Sequence, residues 1–270
     1  MRPDIAFVGT GNVAFRFSLA LQEKGYAITQ IYGRTARNRD RLVKALHING
    51  SAAEPAKGYR DLCRASLVFI TVADDAIGSV VREMASEMAG ADRLPAVVHT
   101  SGATDMDVLQ PLADIGCKCG VVYPLMTLSR NKNIDFTDVP LLLETDDTLL
   151  RDMLDGIASD LGGEYYFYNS EQRLRMHLAA VFTTNFVNYI LGLAFPILDH
   201  DYPLLLPSTI EAVRNAFLHT PESTLTGPAR RGDMNTVRKH LDLLKRLGLE
   251  EQEEFYRTFT EKILEKYHHK

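Results

Sequence analysis

The sequence predicts an α/β fold in which a mostly parallel sheet covered by helices is followed by an all-α domain. Short apolar runs alternate with helical patterns through the first 169 residues, and from about residue 170 only helical patterns remain. Such alternation is typical of parallel sheets, because the crossover between neighbouring parallel strands normally contains a helix. A glycine-rich turn after the first apolar run supports the same fold class. We therefore predict two domains, residues 1–169 and 170–270.

The first apolar run, I-A-F-V at residues 5–8, leads directly into a glycine motif, Gly9-Thr10-Gly11-Asn12-Val13-Ala14. This G-x-G-x-x-A pattern at a strand-to-helix turn is typical of a Rossmann-type dinucleotide site. Gly9 permits the tight turn, Gly11 lets a pyrophosphate approach the backbone, and Ala14 lets the helix pack closely on the strand. The N-terminus of the helix also attracts phosphates. We predict dinucleotide binding at residues 9–14; the alternative is a plain strand–turn–helix connection.

Apolar runs and helical periodicity predict the remaining elements. Strands are expected at residues 27–32, 67–72, 95–99, 120–123, 139–143 and 165–168, with a poorly marked strand near residues 50–52. One helix is expected over residues 36–46 and another after Asp74 or Asp75, either of which can cap it. The second half predicts helices from residue 170 and over residues 204–218, 235–247 and 249–268.

The end of the second strand favours NADP as the cofactor. An NAD site would place an acidic residue here to accept hydrogen bonds from the ribose hydroxyls. The sequence instead has Arg34, Thr35 and Arg37, whose guanidinium groups and hydroxyl suit a 2′-phosphate. The alternative is a solvated basic helix start, since Arg39 and Arg41 continue the basic run.

Polar residues follow the next strands, where ligands of open parallel sheets bind. We predict that the segments at these strand ends, T-V-A-D at 71–74, H-T-S-G at 99–102 and Y-P-L at 123–125, line the nicotinamide half of the cofactor site and the substrate mouth. The predicted cofactor residues here are Val72, Ala73, Asp74, Ile77, Thr100 and Ser101. Two alternatives stay open. Asp74 can serve as a helix cap, and Thr100 and Ser101 can simply begin a turn.

His177 is the predicted proton donor. It lies early in the apolar helix, and at helical spacing it shares one face with Thr184, Asn185 and Asn188. Buried polar side chains require partners, so this stripe predicts a pocket, a ligand or an interface. A histidine suits proton transfer to an alkoxide or amine. The alternative is a structural histidine that bridges the two domains.

A second candidate substrate contact lies in the loop T-G-P-A-R-R-G-D at residues 226–233. Arg230 and Arg231 can bind a substrate carboxylate or phosphate, or can simply face solvent. Asp233 or Asn235 can cap the helix that follows. We predict that Asn185 and Arg231 orient the substrate.

Composition limits the functional class. The formal net charge is −5 at pH 7, so nothing in the composition indicates a basic surface for nucleic acid or anionic lipid. The three cysteines cannot form a disulfide framework, and we assign no metal site. The N-terminus lacks the pattern of a signal peptide, so we expect a cytoplasmic protein.

The apolar segment 179–198 is long enough to span a membrane, but polar residues and Pro196 interrupt it. We expect it to be covered within a homodimer.

The chain resembles a known family through seven motifs in order: F-V-G-T-G-N-V-A, Y-G-R-T, T-V-A-D-D-A-I, H-T-S-G, Y-P-L-M-T-L, H-L-A-A-V-F-T-T-N-F and T-G-P-A-R-R-G-D. It looks like the Rossmann-like oxidoreductases with a helical C-terminal domain of unknown function. These are related to the deazaflavin-dependent NADP oxidoreductases and pyrroline-5-carboxylate reductases. The resemblance spans the whole chain and implies NADP binding, dimerisation through the helical domain and a cleft between the domains.

Two positions depart from related families. The 3-hydroxyisobutyrate dehydrogenases and ketopantoate reductases have a lysine acid on the interdomain helix, followed by asparagine. Here His177 stands near the place of the lysine, Val181 lies four residues later, and Asn185 follows one turn further on. Family members often have histidine before P-L, where this chain has Tyr123.

The sequence thus predicts an NADP-dependent oxidoreductase that transfers a hydride between the nicotinamide and a small carbonyl or imine. The alternative from another class is a non-catalytic NADP-binding sensor or dimeric scaffold with the same glycine motif.

Overall fold

The computed structural model describes residues 2–268 and confirms the predicted fold class. Within these residues the structure contains an eight-stranded sheet with the strand order β3-β2-β1-β4-β5-β6-β7-β8. The strands are β1 (Ile5–Val8), β2 (Ile28–Tyr32), β3 (Glu54–Pro55), β4 (Leu67–Ile70), β5 (Ala96–His99), β6 (Cys119–Pro124), β7 (Leu141–Glu144) and β8 (Tyr165–Phe167). Neighbouring strands are parallel except for β6 and β7, so the carboxyl ends of β1 to β6 lie at one edge.

Helices connect and cover these strands. In the first part of the chain they are α1 (Asn12–Glu23), α2 (Ala36–Ile48), α3 (Asp74–Met88), α4 (Gln110–Asp114) and α5 (Thr148–Leu161). The central strands β1 and β4 are fully buried. Ile5 and Phe7 pack into the apolar cluster that contains α1 and α5, whereas Ala6 and Val8 pack into the cluster that contains α3. Successive side chains of each strand point to opposite faces of the sheet, so each face has its own hydrophobic core.

The third strand was predicted in the wrong place. Pairing with β2 begins at Glu54, opposite Gln30, and not at residues 50–52. Gly50 ends α2 with a positive φ of 86°. The Ser51 hydroxyl then donates to the Ile28 carbonyl over 3.1 Å. Ser51 therefore contacts β2 through its side chain, and backbone pairing with β2 begins only at Glu54.

The predicted cap of α3 was also wrong. Ala73 occupies the N-cap position and has no side-chain hydrogen bond, while Asp74 and Asp75 lie in the first turn. Carboxylates in a first turn still stabilise a helix, because they lie near the positive end of its dipole.

The chain divides into two compact units, residues 1–181 and 182–270. The first unit includes α6 (Ser170–Ala180), whose N-cap Asn169 forms a capping box with Gln172. The division lies inside the predicted long helix, so the expected boundary near residue 169 stays a prediction. The predicted helix itself is confirmed: Ser170–Leu198 is helical throughout, with a π-helical turn at Val181–Phe186.

The second unit is helical, as predicted. Its helices are α7 (Val187–Leu198), α8 (Leu206–Leu218), α9 (Pro221–Thr224), α10 (Pro228–Arg231), α11 (Met234–Leu247) and α12 (Glu250–His268). Val237 and Leu244 of α11 are buried, as is Thr260 of α12. By length and composition, the helix Ser170–Leu198 could also cross a membrane, since it contains an 18-residue window with a mean hydropathy of 1.6.

Candidate functional site

The glycine motif forms the turn that the sequence predicts. Gly9 has a φ of 110°, and a Cβ there would lie 2.8 Å from the backbone carbonyl atoms of Thr71. A side chain at this position would therefore be strained and would collide with the residue that follows β4. A Cβ at Gly11 would have the Thr71 oxygen as its nearest neighbour, at an ordinary contact distance of 3.8 Å, so the protein does not crowd this position. The loop thus has the shape that a pyrophosphate group requires.

A cleft of about 750 Å³ opens beside this loop, at the carboxyl ends of β1, β2 and β4. Seven predicted cofactor residues line it: Gly9, Thr10, Gly11, Arg34, Thr35, Val72 and Ala73. Arg37 lies in an adjoining depression with Thr35, Asn38 and Arg41. Arg34, Thr35 and Arg37 are exposed, so an anionic ligand can reach them.

Other predicted cofactor residues do not line this cleft. Ala14 lies on the buried face of α1 and is wholly buried, which agrees with its predicted packing role. Its neighbours Asn12 and Val13 begin the same helix. Ile77 is also wholly buried, in the core beneath α3, so its side chain cannot line the cleft as predicted. Asp74 lies next to the cleft residue Ala73.

Thr100 and Ser101 are buried and begin a turn, which was the alternative interpretation. The Thr100 hydroxyl donates to the Ile70 carbonyl over 3.4 Å. The Ser101 hydroxyl accepts the amides of Ala103 and Thr104 at 3.2 and 3.0 Å. Both hydroxyls therefore stabilise the loop between β5 and α4.

Two tyrosines that line the cleft, Tyr32 and Tyr59, were not predicted as site residues. Tyr59 packs against Tyr32 with ring centroids 4.3 Å apart, and its hydroxyl donates to Glu83 over 3.3 Å. Burial raises the pKa of Tyr59 above its ordinary value, and the neighbouring Tyr32 contributes to the increase. Tyr59 lies in a short 3₁₀ helix between β3 and β4, where no local motif identifies it.

Sequence reasoning also missed an arginine that contacts the glycine loop. Arg130 donates to the Thr10 carbonyl over 2.8 Å. Its own loop is held by Arg16 of α1, which donates to the carbonyls of Ser129 and Arg130 at 2.8 and 2.7 Å. The contact joins residues 120 positions apart, so only the fold brings them together.

Tyr123 and His177 form a hydrogen-bonded pair. The Tyr123 hydroxyl lies 3.0 Å from Nδ1 of His177, and both side chains are partly buried. Tyr123 lies near the carboxyl end of β6, and α6 supplies His177. Gly102, in the loop after β5, allows this contact because a Cβ there would lie 2.6 Å from Tyr123 Cζ and 2.8 Å from His177 Nδ1.

The hydroxyl of Tyr123 stays protonated at neutral pH. Burial raises its pKa, and the negative charge of Asp74 raises it further. A protonated hydroxyl can donate to Nδ1, which leaves the proton of a neutral imidazole on Nε2. Tyr123 therefore orients the His177 ring, and when its hydroxyl donates to Nδ1 the neutral ring carries its proton on Nε2.

The polar stripe predicted after His177 is not buried. Thr184, Asn185 and Asn188 are exposed, and the Thr184 hydroxyl donates to the Asn185 side chain over 2.8 Å. The π-helical turn at 181–186 also breaks the 3.6-residue spacing on which the stripe was predicted.

The second unit contains both residues that were predicted to orient substrate, Asn185 and Arg231. Arg231 is exposed at the end of α10, and Asp233 caps α11 by accepting the Thr236 amide at 3.0 Å. The cap agrees with the sequence. The roles of Asn185 and Arg231 stay predictions.

Two known family models match the chain, one in each half. A model of a Rossmann-like domain matches residues 1–124, and a model of a domain of unknown function, DUF2520, matches residues 139–263. A search of curated proteins returned no match.

Several solved structures are similar along nearly the whole chain. A Bacteroides fragilis protein described as an NADP oxidoreductase is 30% identical, with 98% of each chain covered and a TM-score of 0.82. An imine reductase from Myxococcus stipitatus in complex with NADP⁺ is 16% identical over 98% of this chain and 99% of its own, with a TM-score of 0.64. A pyrroline-5-carboxylate reductase from Coxiella burnetii is 12% identical over 97% and 99%, with a TM-score of 0.58. The last two show a shared fold alone. By its two domain matches and its 30% identity to the Bacteroides protein, the chain belongs to the Rossmann-like oxidoreductases that carry a DUF2520 domain.

Proposed function

We propose that this protein is an NADP-dependent oxidoreductase that reduces a small carbonyl or imine, with His177 as the proton donor. The observation that carries the proposal is the Tyr123–His177 pair, which lies near the carboxyl end of β6, at the same edge of the sheet as the strand ends that form the cleft. Tyr123 lies close enough to Asp74 for that charge to raise its pKa, and Asp74 follows the cleft residue Ala73. A proton donor therefore lies on the cleft side of the sheet.

The cofactor preference follows from the residues beside β2. Gly9 permits the turn, Gly11 lets a pyrophosphate approach the backbone, and the exposed Arg34 and Thr35 supply donors for a 2′-phosphate. No acidic residue stands directly at the end of β2, at residues 33–37, to bind free ribose hydroxyls. NADP⁺ in the fold-related imine reductase lends further support.

Bound NADPH would supply the hydride, and a side chain of this protein would donate the proton to the substrate. In its protonated form, His177 donates from Nδ1 to the Tyr123 hydroxyl and presents the Nε2 proton to the substrate oxygen or nitrogen. Transfer of that proton leaves a neutral ring whose remaining proton is on Nδ1, where it still donates to the Tyr123 hydroxyl oxygen. Solvent then returns a proton to Nε2, which restores the acid.

The test compares binding with turnover. We expect His177→Ala to abolish substrate-dependent NADPH oxidation across a panel of small carbonyls and cyclic imines, while calorimetry shows unchanged NADPH affinity. His219→Ala, at an exposed histidine of the second unit, is the matched control and should behave like the wild type. Unchanged turnover in His177→Ala would overturn the assignment of the acid. NADPH binding without turnover of any panel member by the wild type would favour the sensor alternative.

We also propose that the protein is a soluble, cytoplasmic homodimer. Many large apolar side chains are exposed in the second unit between residues 182 and 218, including Phe182 at 60%, Phe195 at 54% and Phe217 at 74%. A second copy is the proposed cover, because Thr184, Asn185 and Pro196 interrupt the apolar segment and would disfavour a membrane span. Sedimentation in buffer without detergent should show a dimer at micromolar concentration. A stable monomer, or a protein recovered only with detergent, would contradict this.

A further inference from the structure

A buried ion pair lies one helical turn before His177. Arg173 of α6 is only 1% exposed, and its guanidinium forms an ion pair with Glu144 at the end of β7, whose side chain is 12% exposed. Within residues 2–268, Arg173 is among the largest fully buried side chains. The mechanism proposed above does not use either group.

The pair joins β7, the start of α6 and the loop after β5. Arg173 also donates to the Thr104 carbonyl over 2.5 Å and to the Ser170 hydroxyl over 3.2 Å. Ser170, the first residue of α6, lies 3.0 Å from both carboxylate oxygens of Glu144 and accepts the Met106 amide at 3.0 Å. The ion pair and these hydrogen bonds thus connect β7, the start of α6 and the loop after β5 to one another.

Each fastened element contributes to the placement of His177. Arg173 and His177 are four residues apart on α6, so they lie on the same face of the helix. Thr104 lies two residues after Gly102, whose backbone packs against both the tyrosine and histidine rings. Movement of either the helix or the loop would therefore change the 3.0 Å contact between Tyr123 and His177.

Stability alone does not explain why these two residues are charged. Removing an arginine and a carboxylate from water costs several kcal/mol, and an apolar pair of similar volume often gives equal or greater stability. A guanidinium group offers what an apolar side chain lacks, which is several donors fixed in one plane. These donors reach the Glu144 carboxylate, the Thr104 carbonyl and the Ser170 hydroxyl at once.

We propose that the Arg173–Glu144 pair is a positioning device, which holds α6 and the loop after β5 so that Tyr123 fixes the ring orientation and tautomer of His177. The expected effect of this pair on turnover rests on the proposed function, whereas its expected effect on the His177 ring does not. The hydrogen-bonded state of the His177 ring can be measured without a substrate.

The experiment replaces the whole pair with apolar residues in the full-length protein. Arg173→Met combined with Glu144→Met avoids leaving one buried charge unpaired, which would threaten folding. The matched control, Arg175→Met with Glu171→Met, removes the ion pair of an adjacent turn of α6, where both side chains are more than 70% exposed. Circular dichroism and thermal melting establish that each variant folds.

The first readout is nitrogen-15 NMR of the His177 ring at pH 8. We expect the wild type and the control to show a single neutral tautomer with the proton on Nε2, and the buried-pair variant to show a mixture. Tyr123→Phe should give the same mixture. An unchanged Nε2–H tautomer in the folded buried-pair variant would overturn the proposal.

The second readout is kinetic and uses any substrate found in the panel. A displacement of about 1 Å in a catalytic group can cost roughly 100-fold in rate. We expect the buried-pair variant to lose roughly this factor in kcat, with NADPH affinity and KM changed less than about threefold, and Arg173→Lys to recover part of it. An unchanged kcat would contradict the positioning role. Absence of turnover in the wild type concerns the proposed function alone, because the NMR result still decides this inference.

Discussion

His99, at the carboxyl end of β5, makes the stability of the first unit depend on pH in a way that can be calculated. Its side chain is wholly buried, and Nδ1 accepts the Ser101 amide at 3.2 Å. Burial lowers its pKa to about 3, and the positive charge of Arg173 contributes to the decrease. In the unfolded chain its pKa returns to about 6.5.

The direction of the effect follows from these two values. Because the folded state disfavours protonated His99, its stabilising contribution is complete above pH 6.5 and is lost as the pH falls toward 3. Each pKa unit corresponds to about 1.4 kcal/mol, so at pH 5 the loss attributable to His99 is about 2 kcal/mol.

Urea unfolding at pH 7, 6 and 5 measures this loss, with His99→Asn as the comparison. The asparagine Oδ1 can replace Nδ1 as the acceptor for the Ser101 amide but does not titrate. We expect the wild-type free energy of unfolding to fall about 2 kcal/mol more than that of His99→Asn between pH 7 and 5. Because both proteins share every other titrating group, parallel pH profiles would refute the reasoning.

Three further substitutions test the cleft and the proposed acid. Gly9→Ala should abolish NADPH binding and lower the melting temperature, whereas Gly50→Ala, also at positive φ but in open space, should lower only the melting temperature. Arg34→Met should weaken NADPH binding by about 10- to 100-fold in calorimetry and leave NADH binding unchanged, since a hydrogen bond to a charged group contributes about 1.5–3 kcal/mol. Gly102→Ala should separate the tyrosine and histidine rings and lower kcat roughly 100-fold without changing NADPH affinity; wild-type kcat would contradict the role of the glycine.

The sheet was largely predictable because the composition of its buried strands identifies them. The L-V-F-I run at β4 is fully buried on both faces, so every position must be apolar. β3 was misplaced because it has only two residues and both are exposed. An edge strand of that length carries almost no hydrophobic signal.

The candidate site was only partly predictable, and sequence distance explains the difference. The glycine loop is a local structure, so Gly9 and Gly11 could be identified from their own neighbours. The contact between Tyr123 and His177 spans 54 residues, and that between Arg130 and Thr10 spans 120. Such pairs depend on strand order and on how α6 returns along the sheet, which no local pattern encodes.

The π-helical turn shows a second limit. The predicted polar face of the apolar helix assumed 3.6 residues per turn, but the wider turn at Val181–Phe186 changes the direction of every following side chain. The sequence there, V-F-T-T-N-F, has no proline or glycine to mark the change.

Binding of a 2′-phosphorylated dinucleotide in the cleft beside Gly9 and Arg34 can be measured by isothermal titration calorimetry. The purified protein is titrated with NADPH and with NADH, each at two temperatures. We expect one site per chain with a clearly lower Kd for NADPH than for NADH. Heat signals absent for both nucleotides at both temperatures would contradict it, because a vanishing enthalpy at one temperature cannot persist at another when apolar surface is buried.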